Sequence, residues 1–420
     1  MNIQTIKMQS EQEIIPEHKR IDEIVEFNQG KVLRAFQKLR VSDSHFNPTT
    51  GYGYDDFGRE TLESLYAEIF GAEDALVRPQ LISGTHAITT TLFGVLRPGD
   101  ELLYITGEPY DTLRDVIGTG RKKDMGSLRD FGVSYQSIPL TRGGDFQVEE
   151  ILSSISSATK MIGIQRSKGY EDRPSFTIKQ ISSIIERIRE VKSDIIIFVD
   201  NCYGEFVEMK EPLEAGADLI AGSLIKNPGG GIARMGGYIA GKEELIELCS
   251  YRLTAPGLGK ETGASLNSLQ EMYQGIFLAP HVVGEALKGA VFTAHFLKML
   301  GFSTNPSHDA VRTDLIQSVN FDSAEQMIRF CQSIQQASPV NSHVSPQASP
   351  MPGYDDHVIM AAGTFIQGAS LELTADGPIR PPYTAFVQGG LTYSHVKIAV
   401  TAAIERLLEE GYVRVSSTSE

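Results

Sequence analysis

The chain has 420 residues, 41% of them hydrophobic and 22% charged, which is ordinary for a globular protein of two or three domains. Its net charge of -15 argues against nucleic acid as a partner, because phosphate neutralisation needs clustered Lys and Arg. No apolar run reaches the roughly 18–20 residues of a membrane span, and the N-terminus lacks signal-peptide features, so we expect no membrane role. The widely spaced cysteines favour a reduced, cytoplasmic setting.

Residues 1–50 predict an N-terminal helical arm. From about Glu11 to Leu39, apolar residues recur at helical spacing between charged ones, which predicts amphipathic helices suited to packing on a partner. We expect a large α/β domain at residues 51–285 and a smaller C-terminal α+β domain at residues 286–420.

The middle of the chain alternates predicted strands with amphipathic helices such as Ile178–Val191. Strands separated by helices of this length indicate crossover connections. We therefore predict a mostly parallel, seven-stranded sheet covered by helices. The predicted strands are Ala75–Val77, Glu101–Ile105, Val133–Ile138, Met161–Ile164, Ile195–Val199, Leu219–Ala221 and Gly237–Ala240.

The last third of the chain begins with a helical pattern from Thr262 to Leu300. The C-terminal domain is closed by a predicted helix, Tyr393–Glu410. The Ser- and Pro-rich segment 337–354 predicts a long loop, and such loops are often functional. The strands predicted for this domain are Gln317–Asn320, Val358–Ala361 and Ser370–Leu373.

The segment 222–231, GSLIKNPGGG, contains a lysine, Lys226, of uncertain role. A nucleotide-phosphate loop is disfavoured, because the closest match, at 236–242, is followed by Glu243 where Ser or Thr is required. A covalent cofactor is better supported. Asp200 ends the most hydrophobic strand, 226 − 200 = 26 residues before the lysine, and carboxyl ends of parallel strands share one edge of a sheet. A lysine for an aldehyde and an aspartate for a pyridine nitrogen are expected for pyridoxal phosphate (PLP).

A phosphate site is the third requirement of that cofactor. Ser83, Gly84 and Thr85, in the segment SGTHA, precede an apolar helix whose start would offer backbone N–H groups to an anion. Ser223 could add a hydroxyl, and Tyr110 could stack on the cofactor ring. Each feature also has a structural explanation as a turn, cap or surface residue. Their occurrence together favours the cofactor site.

At these residues the chain resembles the fold-type I PLP enzymes of cysteine and methionine metabolism. It is most similar to the branch called methionine γ-lyase-like or aluminium-resistance proteins, often named cystathionine β-lyases. The resemblance implies the PLP-dependent transferase-like fold, and a homodimer or homotetramer with shared active sites. It covers most of the chain, through GYGYDDFGRETLE, SGTHA, IQRSKGY, FVDNCYGEF, GSLIKNPGGG, AAGTFIQGAS, ADGPIRPPY and QGGLTYSH.

The resemblance implies a role for each residue. Lys226 forms the Schiff base with PLP, Asp200 pairs with the pyridinium, and Tyr110 stacks on the ring. Gly84, Thr85 and Ser223 contact the phosphate.

Four further residues are assigned from the resemblance. The partner subunit usually lends a tyrosine and an arginine to the phosphate, for which Tyr54 and Arg59 are the candidates, although the family's Tyr-x-Arg spacing is not kept. Arg166 is the candidate for the phenolic oxygen of PLP. Arg380 is the candidate for the substrate carboxylate, since a guanidinium forks onto a carboxylate. A structural arginine in a proline-rich turn is the alternative.

The expected activity is β- or γ-elimination from a sulfur-containing amino acid, giving thiol, 2-oxo acid and ammonia. Lys226 would move the α-proton, with its pKa lowered by desolvation and nearby positive charge. Better-known members carry Thr before the lysine and an aromatic residue after it, where this chain has Ile225 and Asn227, which leaves the substrate open. The alternatives are transamination or aldol-type cleavage, and a PLP-binding protein with little catalysis that acts in metal tolerance.

Overall fold

The computed structural model describes residues 2–120, 123–351 and 354–413. Its helices are α1 (Ile3–Glu13), α2 (Ile15–Lys38), α3 (Phe57–Phe70), α4 (Gly84–Val95), α5 (Asp111–Ile117), α6 (Val148–Ser154), α7 (Ile178–Val191), α8 (Glu243–Leu253), α9 (Leu269–Met299), α10 (Ala324–Gln336) and α11 (Tyr393–Glu409). Its strands are β1 (Asp74–Arg78), β2 (Glu101–Tyr104), β3 (Ser134–Ser137), β4 (Thr159–Gln165), β5 (Ile196–Asp200), β6 (Leu219–Ser223), β7 (Gly237–Gly241), β8 (Ser303–Asn305), β9 (Gln317–Asn320), β10 (Val358–Ala361), β11 (Thr374–Pro378) and β12 (Thr384–Gln388).

The large sheet has the strand order β1-β7-β6-β5-β4-β2-β3. Strands β6, β5, β4, β2 and β3 run parallel, and β7 is antiparallel to both of its neighbours. The mostly parallel seven-stranded sheet is therefore confirmed. Each strand lies within two residues of its predicted bounds.

Strand β5 shows why the sheet needs helices on both faces. Ile197 and Val199 belong to one apolar cluster, with α3, α7 and α9, whereas Ile196 and Phe198 belong to a second cluster, with α4 and α8. Successive side chains of a strand point to opposite faces, so a fully apolar strand must be covered twice.

The C-terminal domain contains a five-stranded antiparallel sheet in the order β10-β11-β12-β9-β8. The predictions of β9, β10 and α11 are confirmed, and β8 and β12 were missed. The prediction of a strand at Ser370–Leu373 is wrong, because the strand begins at Thr374. The amide of Leu371 donates to the carbonyl of Ile225 at 2.9 Å, so this apolar segment packs against the turn that carries Lys226 rather than joining the sheet.

The N-terminal helices α1 and α2 pack on α9 of their own chain, and packing on a partner stays a prediction. Helix α9 is continuous across the predicted domain boundary at residue 285. Among the described residues it is the one helix that is long and apolar enough to cross a membrane, but 72% of its most apolar window is buried inside the protein. A core helix passes the same test of length and composition.

Candidate active site

A cavity of about 280 Å³ lies at the carboxyl ends of β4, β5 and β6, where the C-terminal domain meets the large sheet. Strand register explains why distant residues meet there, since Asp200 pairs with Gln165 on β4 and with Ala221 on β6. Seven residues singled out from the sequence line the cavity: Ser83, Gly84, Thr85, Tyr110, Asp200, Ser223 and Lys226.

One end of the cavity is built by the start of α4. Ser83 is the N-cap, and its hydroxyl accepts from the amide of His86 at 3.1 Å. The amides of Gly84 and Thr85 come earlier in the first turn, where helices have no internal acceptor. A Cβ at position 84 would lie 3.2 Å from both the Cys202 Sγ and the Ser223 Cβ, so glycine leaves this helix start open. These groups form an anion site.

Tyr110 connects this end to the centre of the cavity. Its hydroxyl lies 3.0 Å from Thr85 Oγ1, and its amide donates to Gln165 Oε1 at 3.0 Å. Burial, and then the Asp200 carboxylate, raise the pKa of Tyr110 well above its usual value, so the phenol stays protonated at neutral pH.

Asp200 closes β5 and is 5% exposed. Its Oδ1 accepts from the amide of Cys202 at 3.1 Å. Burial raises the pKa of Asp200, and the positive charge of Lys226 opposes that rise. A buried carboxylate with a single backbone donor is suited to meet a further donor from the cavity, such as a pyridinium N–H.

Lys226 follows β6 in a tight turn, and its Nζ lies 4.0 Å from the ring centroid of Tyr203. Burial lowers the pKa of Lys226, but the Cys202, Tyr203 and Asp200 side chains outweigh burial, and the pKa stands above its ordinary value. In the chain without cofactor the neighbours of Lys226 therefore favour the ammonium, and a lowered pKa for the lysine released by substrate stays a prediction.

The residues present fit PLP on structural grounds. An anion site, a buried carboxylate and a lysine surround one cavity, with a protonated tyrosine between them. Ser83, Gly84, Thr85 and Ser223 would hold the phosphate, Asp200 the ring nitrogen and Lys226 the aldehyde carbon.

Arg166 does not line the cavity, which corrects its assignment to the phenolic oxygen. The side chain is fully buried, and its Nη1 donates to Asn201 Oδ1 at 2.8 Å and to the Gly204 carbonyl at 2.9 Å. Its Nη2 pairs with Glu208 at 2.8 Å. These contacts hold the guanidinium against the segment 201–208 that follows β5, rather than in the cavity.

Tyr54 and Arg59 also lie outside the cavity of their own chain. Tyr54 is 53% exposed and stacks on Tyr52, so it is available to a partner. Arg59 is 2% exposed, and its Nη1 donates to the carbonyls of Gly53 at 2.6 Å and Gly263 at 2.9 Å. The guanidinium of Arg59 is thus bound within its own chain, and its role at a partner's phosphate stays a prediction.

Arg380 does not line the cavity either. Its Nη1 pairs with Asp356 at 3.1 Å, with both side chains about 40% exposed. Its charge opposes the rise that burial causes in the pKa of Asp111, a residue of the cavity wall. Arg380 therefore lies near the rim, in an ion pair that costs little to open.

Several cavity residues were missed by sequence reasoning. Tyr203 lies three residues after Asp200, so its place beyond a strand end was a usable signal. Tyr170 and Gln388 stand in the quoted segments IQRSKGY and QGGLTYSH, and Tyr354 ends the predicted loop at 337–354, but the sequence analysis gives none of the three a role. Tyr170 donates to the buried Asp376 of the C-terminal domain, and Gln388 Nε2 donates to the same carboxylate at 3.1 Å.

The described lining has one cation, Lys226, and three carboxylates, Asp111, Glu171 and Asp200. Asp200 belongs to the cofactor end, whereas Asp111 and Glu171 stand on the outer wall. Asp111 is paired with Arg114 at 3.5 Å, whereas Glu171 is exposed, so the outer wall offers a carboxylate to a ligand with a positive group at its far end.

The fold and this arrangement define the class of PLP-dependent fold-type I proteins. A distant structure of that fold is the pyridoxal-5'-phosphate dependent protein YhfS of Escherichia coli, with a TM-score of 0.61 at 15% identity over 92% of this chain and 97% of that one. At this identity the likeness shows the fold alone.

Residues 3–408 match the family described as methionine gamma-lyase, and the chain belongs to this family. It is 62% identical to the uncharacterized protein YnbB of Bacillus subtilis over 97% of this chain and 96% of that protein. A Listeria monocytogenes structure, provisionally described as a cystathionine beta-lyase involved in aluminum resistance, has 63% identity, covers 96% of this chain and 99% of that chain, and has a TM-score of 0.94. A carbon-sulfur lyase involved in aluminum resistance from Clostridium novyi has 48% identity, 96% coverage of both chains and a TM-score of 0.93.

Proposed function

We propose that this protein is a PLP-dependent carbon–sulfur lyase that acts on a sulfur-containing amino acid. The observation that carries the proposal is that Lys226, Asp200 and the anion site at the start of α4 line a single cavity. The names of the Listeria and Clostridium relatives support carbon–sulfur bond cleavage.

When bound, PLP supplies an electron sink that stabilises negative charge at the substrate α-carbon. The chain's own residues bind and orient the cofactor and the substrate, and they move protons. Asp200 keeps the ring nitrogen protonated, since its carboxylate is buried and accepts one backbone N–H bond of its own. The anion site fixes the phosphate, so the reacting carbon is held beside Lys226.

Lys226 is the group that moves the α-proton, because its amine lies inside the cavity. As a neutral amine it would take the proton from the substrate α-carbon, and as an ammonium it would return a proton to the substrate. Tyr110 stays protonated next to Thr85 and can donate to a departing sulfur.

The acidic outer wall supports a substrate whose far end carries a second amino group, as cystathionine does. Asp111 and Glu171 would meet that ammonium. Arg380 stays our candidate for a substrate carboxylate, since its ion pair with Asp356 is half-exposed and lies near Asp111.

The experiment is a substrate panel on the purified, PLP-loaded protein, with thiol, 2-oxo acid and ammonia measured together. We expect an absorbance band near about 420 nm that borohydride removes, and equal amounts of the three products. The Lys226→Ala variant should lose the band and the turnover. A stoichiometric amino-acid product would show transamination instead, and absence of turnover together with absence of α-proton exchange would leave a binding protein.

We further propose a homodimer, or a pair of dimers, in which Tyr54 serves the partner's phosphate. Its exposure and its stacking on Tyr52 support this role. Mixing Lys226→Ala subunits with Tyr54→Ala subunits should restore about a quarter of the wild-type activity, because half of the random dimers are hybrids with one intact site. No recovery, with hybrids shown to form, would contradict a shared site.

A further inference from the structure

Tyr203 contacts the reacting lysine directly. Its ring centroid lies 4.0 Å from Lys226 Nζ, inside the roughly 6 Å over which a ring face attracts a cation. Both residues line the cavity, and Tyr203 is 7% exposed. Such an interaction is stronger where water is excluded.

The Tyr203 ring is fixed from two sides. Its hydroxyl donates to the carbonyl of Ala369 at 3.2 Å, which ties it to the C-terminal domain. Its backbone has a φ of 68°, in the left-handed region that a tyrosine seldom adopts. Strained backbone is retained where the surrounding structure demands it, and here it places an aromatic face beside Lys226.

Other titratable groups also act on the charge of Lys226. Asp200 ends β5, Cys202 follows it, Tyr110 precedes α5, and Tyr354 and Asp376 belong to the C-terminal domain. Glu205 lies further along the loop after β5. The Lys226 Nζ lies over the Tyr203 ring, 4.0 Å from its centroid. This ring is therefore placed to hold the ammonium.

We propose that Tyr203 is a positioning residue whose ring face holds the Lys226 ammonium whenever that amine is not bonded to the cofactor. The proposal rests on the proposed function only in taking Lys226 as the reacting amine. A ring face attracts the ammonium but not the neutral amine, so Tyr203 favours the protonated lysine and keeps it next to the reacting carbon. It thereby acts through Lys226, on the return of the proton.

The test measures the protonation of Lys226 in the full-length chain after removal of the cofactor. Three forms of the protein are compared, with tyrosine, phenylalanine or trifluorophenylalanine at position 203. Fluorination weakens the negative charge of the ring face with little change of shape. The rate at which an amine reagent labels Lys226 is compared with that of exposed Lys179 in the same sample, at several pH values below the lysine pKa. Below the pKa, this rate follows the fraction of neutral amine.

The Tyr203→Phe variant keeps the ring and should label at nearly the wild-type rate. Trifluorophenylalanine should raise the Lys226 rate, relative to Lys179, by about five- to tenfold at each pH. Equal rates for the two phenylalanine forms would overturn the proposal, as would an increase in Tyr203→Phe as large as that in the fluorinated form. Because no sulfur substrate is used, failure here is distinct from failure of the lyase assignment.

Discussion

The most informative single substitution is Asp200→Asn, because it removes a charge and preserves shape. The Asn Oδ1 can still accept the 3.1 Å hydrogen bond from the Cys202 amide. What is lost is the carboxylate that we propose to keep the pyridine nitrogen of PLP protonated. We expect kcat to fall by about 10²- to 10³-fold, as when one preorganised electrostatic group is removed from an active site.

The stability of the cofactor-free chain should respond differently. Burial raises the pKa of Asp200 and so penalises the ionised carboxylate, while the positive charge of Lys226 favours it. Asn removes both effects, and we expect the unfolding free energy to change by less than about 1 kcal/mol. Asp200→Ala also leaves the buried Cys202 amide without its acceptor, which costs about 1–3 kcal/mol more.

The assay pairs urea unfolding of the cofactor-free variants with kcat of the PLP-loaded enzymes on the best substrate of the panel. The Asp200→Asn and Asp200→Ala variants should lose activity to a similar extent, and only Asp200→Ala should have a lower unfolding free energy. If Asp200→Asn kept more than a tenth of the wild-type kcat, the assignment of the carboxylate to the pyridinium would be refuted. If both variants lost activity only in proportion to lost folding, the residue would be structural.

Three further outcomes follow from the geometry. Gly84→Ala places a methyl 3.2 Å from two side chains beside the anion site, so the Kd for PLP should rise about tenfold or more. Gly30→Ala, at a half-buried position of α2, should leave that Kd unchanged and raise the unfolding free energy by up to about 1 kcal/mol, and equal Kd values for the two variants in a PLP titration would contradict the anion site. Burial raises the pKa of Asp376 from 3.8 to about 6, so the folded chain binds this proton more tightly than the unfolded chain does. The protonated carboxyl therefore stabilises the folded state fully below pH 3.8, and this contribution is lost as the pH rises through 6. The unfolding free energy of the wild type minus that of the Asp376→Asn variant should therefore fall by about 1 kcal/mol between pH 5 and pH 7. A difference that does not change with pH would show that the pKa of the Asp376 carboxyl is not perturbed. Asp111→Asn combined with Glu171→Gln should lower kcat/KM for S-(2-aminoethyl)cysteine by about tenfold and leave S-propylcysteine unchanged, because only the first carries a distal ammonium; parallel losses would exclude charge recognition.

The large domain was predictable because its signals are local. The strand Ile195–Val199 is apolar at every position, which is enough to place it in the middle of a covered sheet. Lys226 and Asp200 follow predicted strands, and parallel strands bring their carboxyl ends together, so their proximity follows from topology. Ser83 precedes an apolar helix, and an N-cap is recognisable from residue type.

The partners of Arg166 and Arg59 were not predictable, for a different reason. The partners of a guanidinium are set by tertiary contacts, and those of Arg166 lie at residues 201, 204 and 208, whereas Arg59 reaches residue 263. The strand expected at Ser370–Leu373 failed likewise, since the amide of Leu371 bonds to the turn that carries Lys226. No local pattern shows these partners.

The sequence by itself determined the sheet, the class of cofactor and the two residues on which the proposed chemistry depends, since strand periodicity and strand-end positions are properties of short segments. Only the tertiary structure decided the surroundings of those residues. It placed Tyr203 against Lys226, tied Tyr170 and Gln388 to Asp376, and put two acids on the outer wall of the cavity. These contacts join residues up to 206 positions apart (376 − 170 = 206), and packing between domains, rather than any local pattern, fixes them.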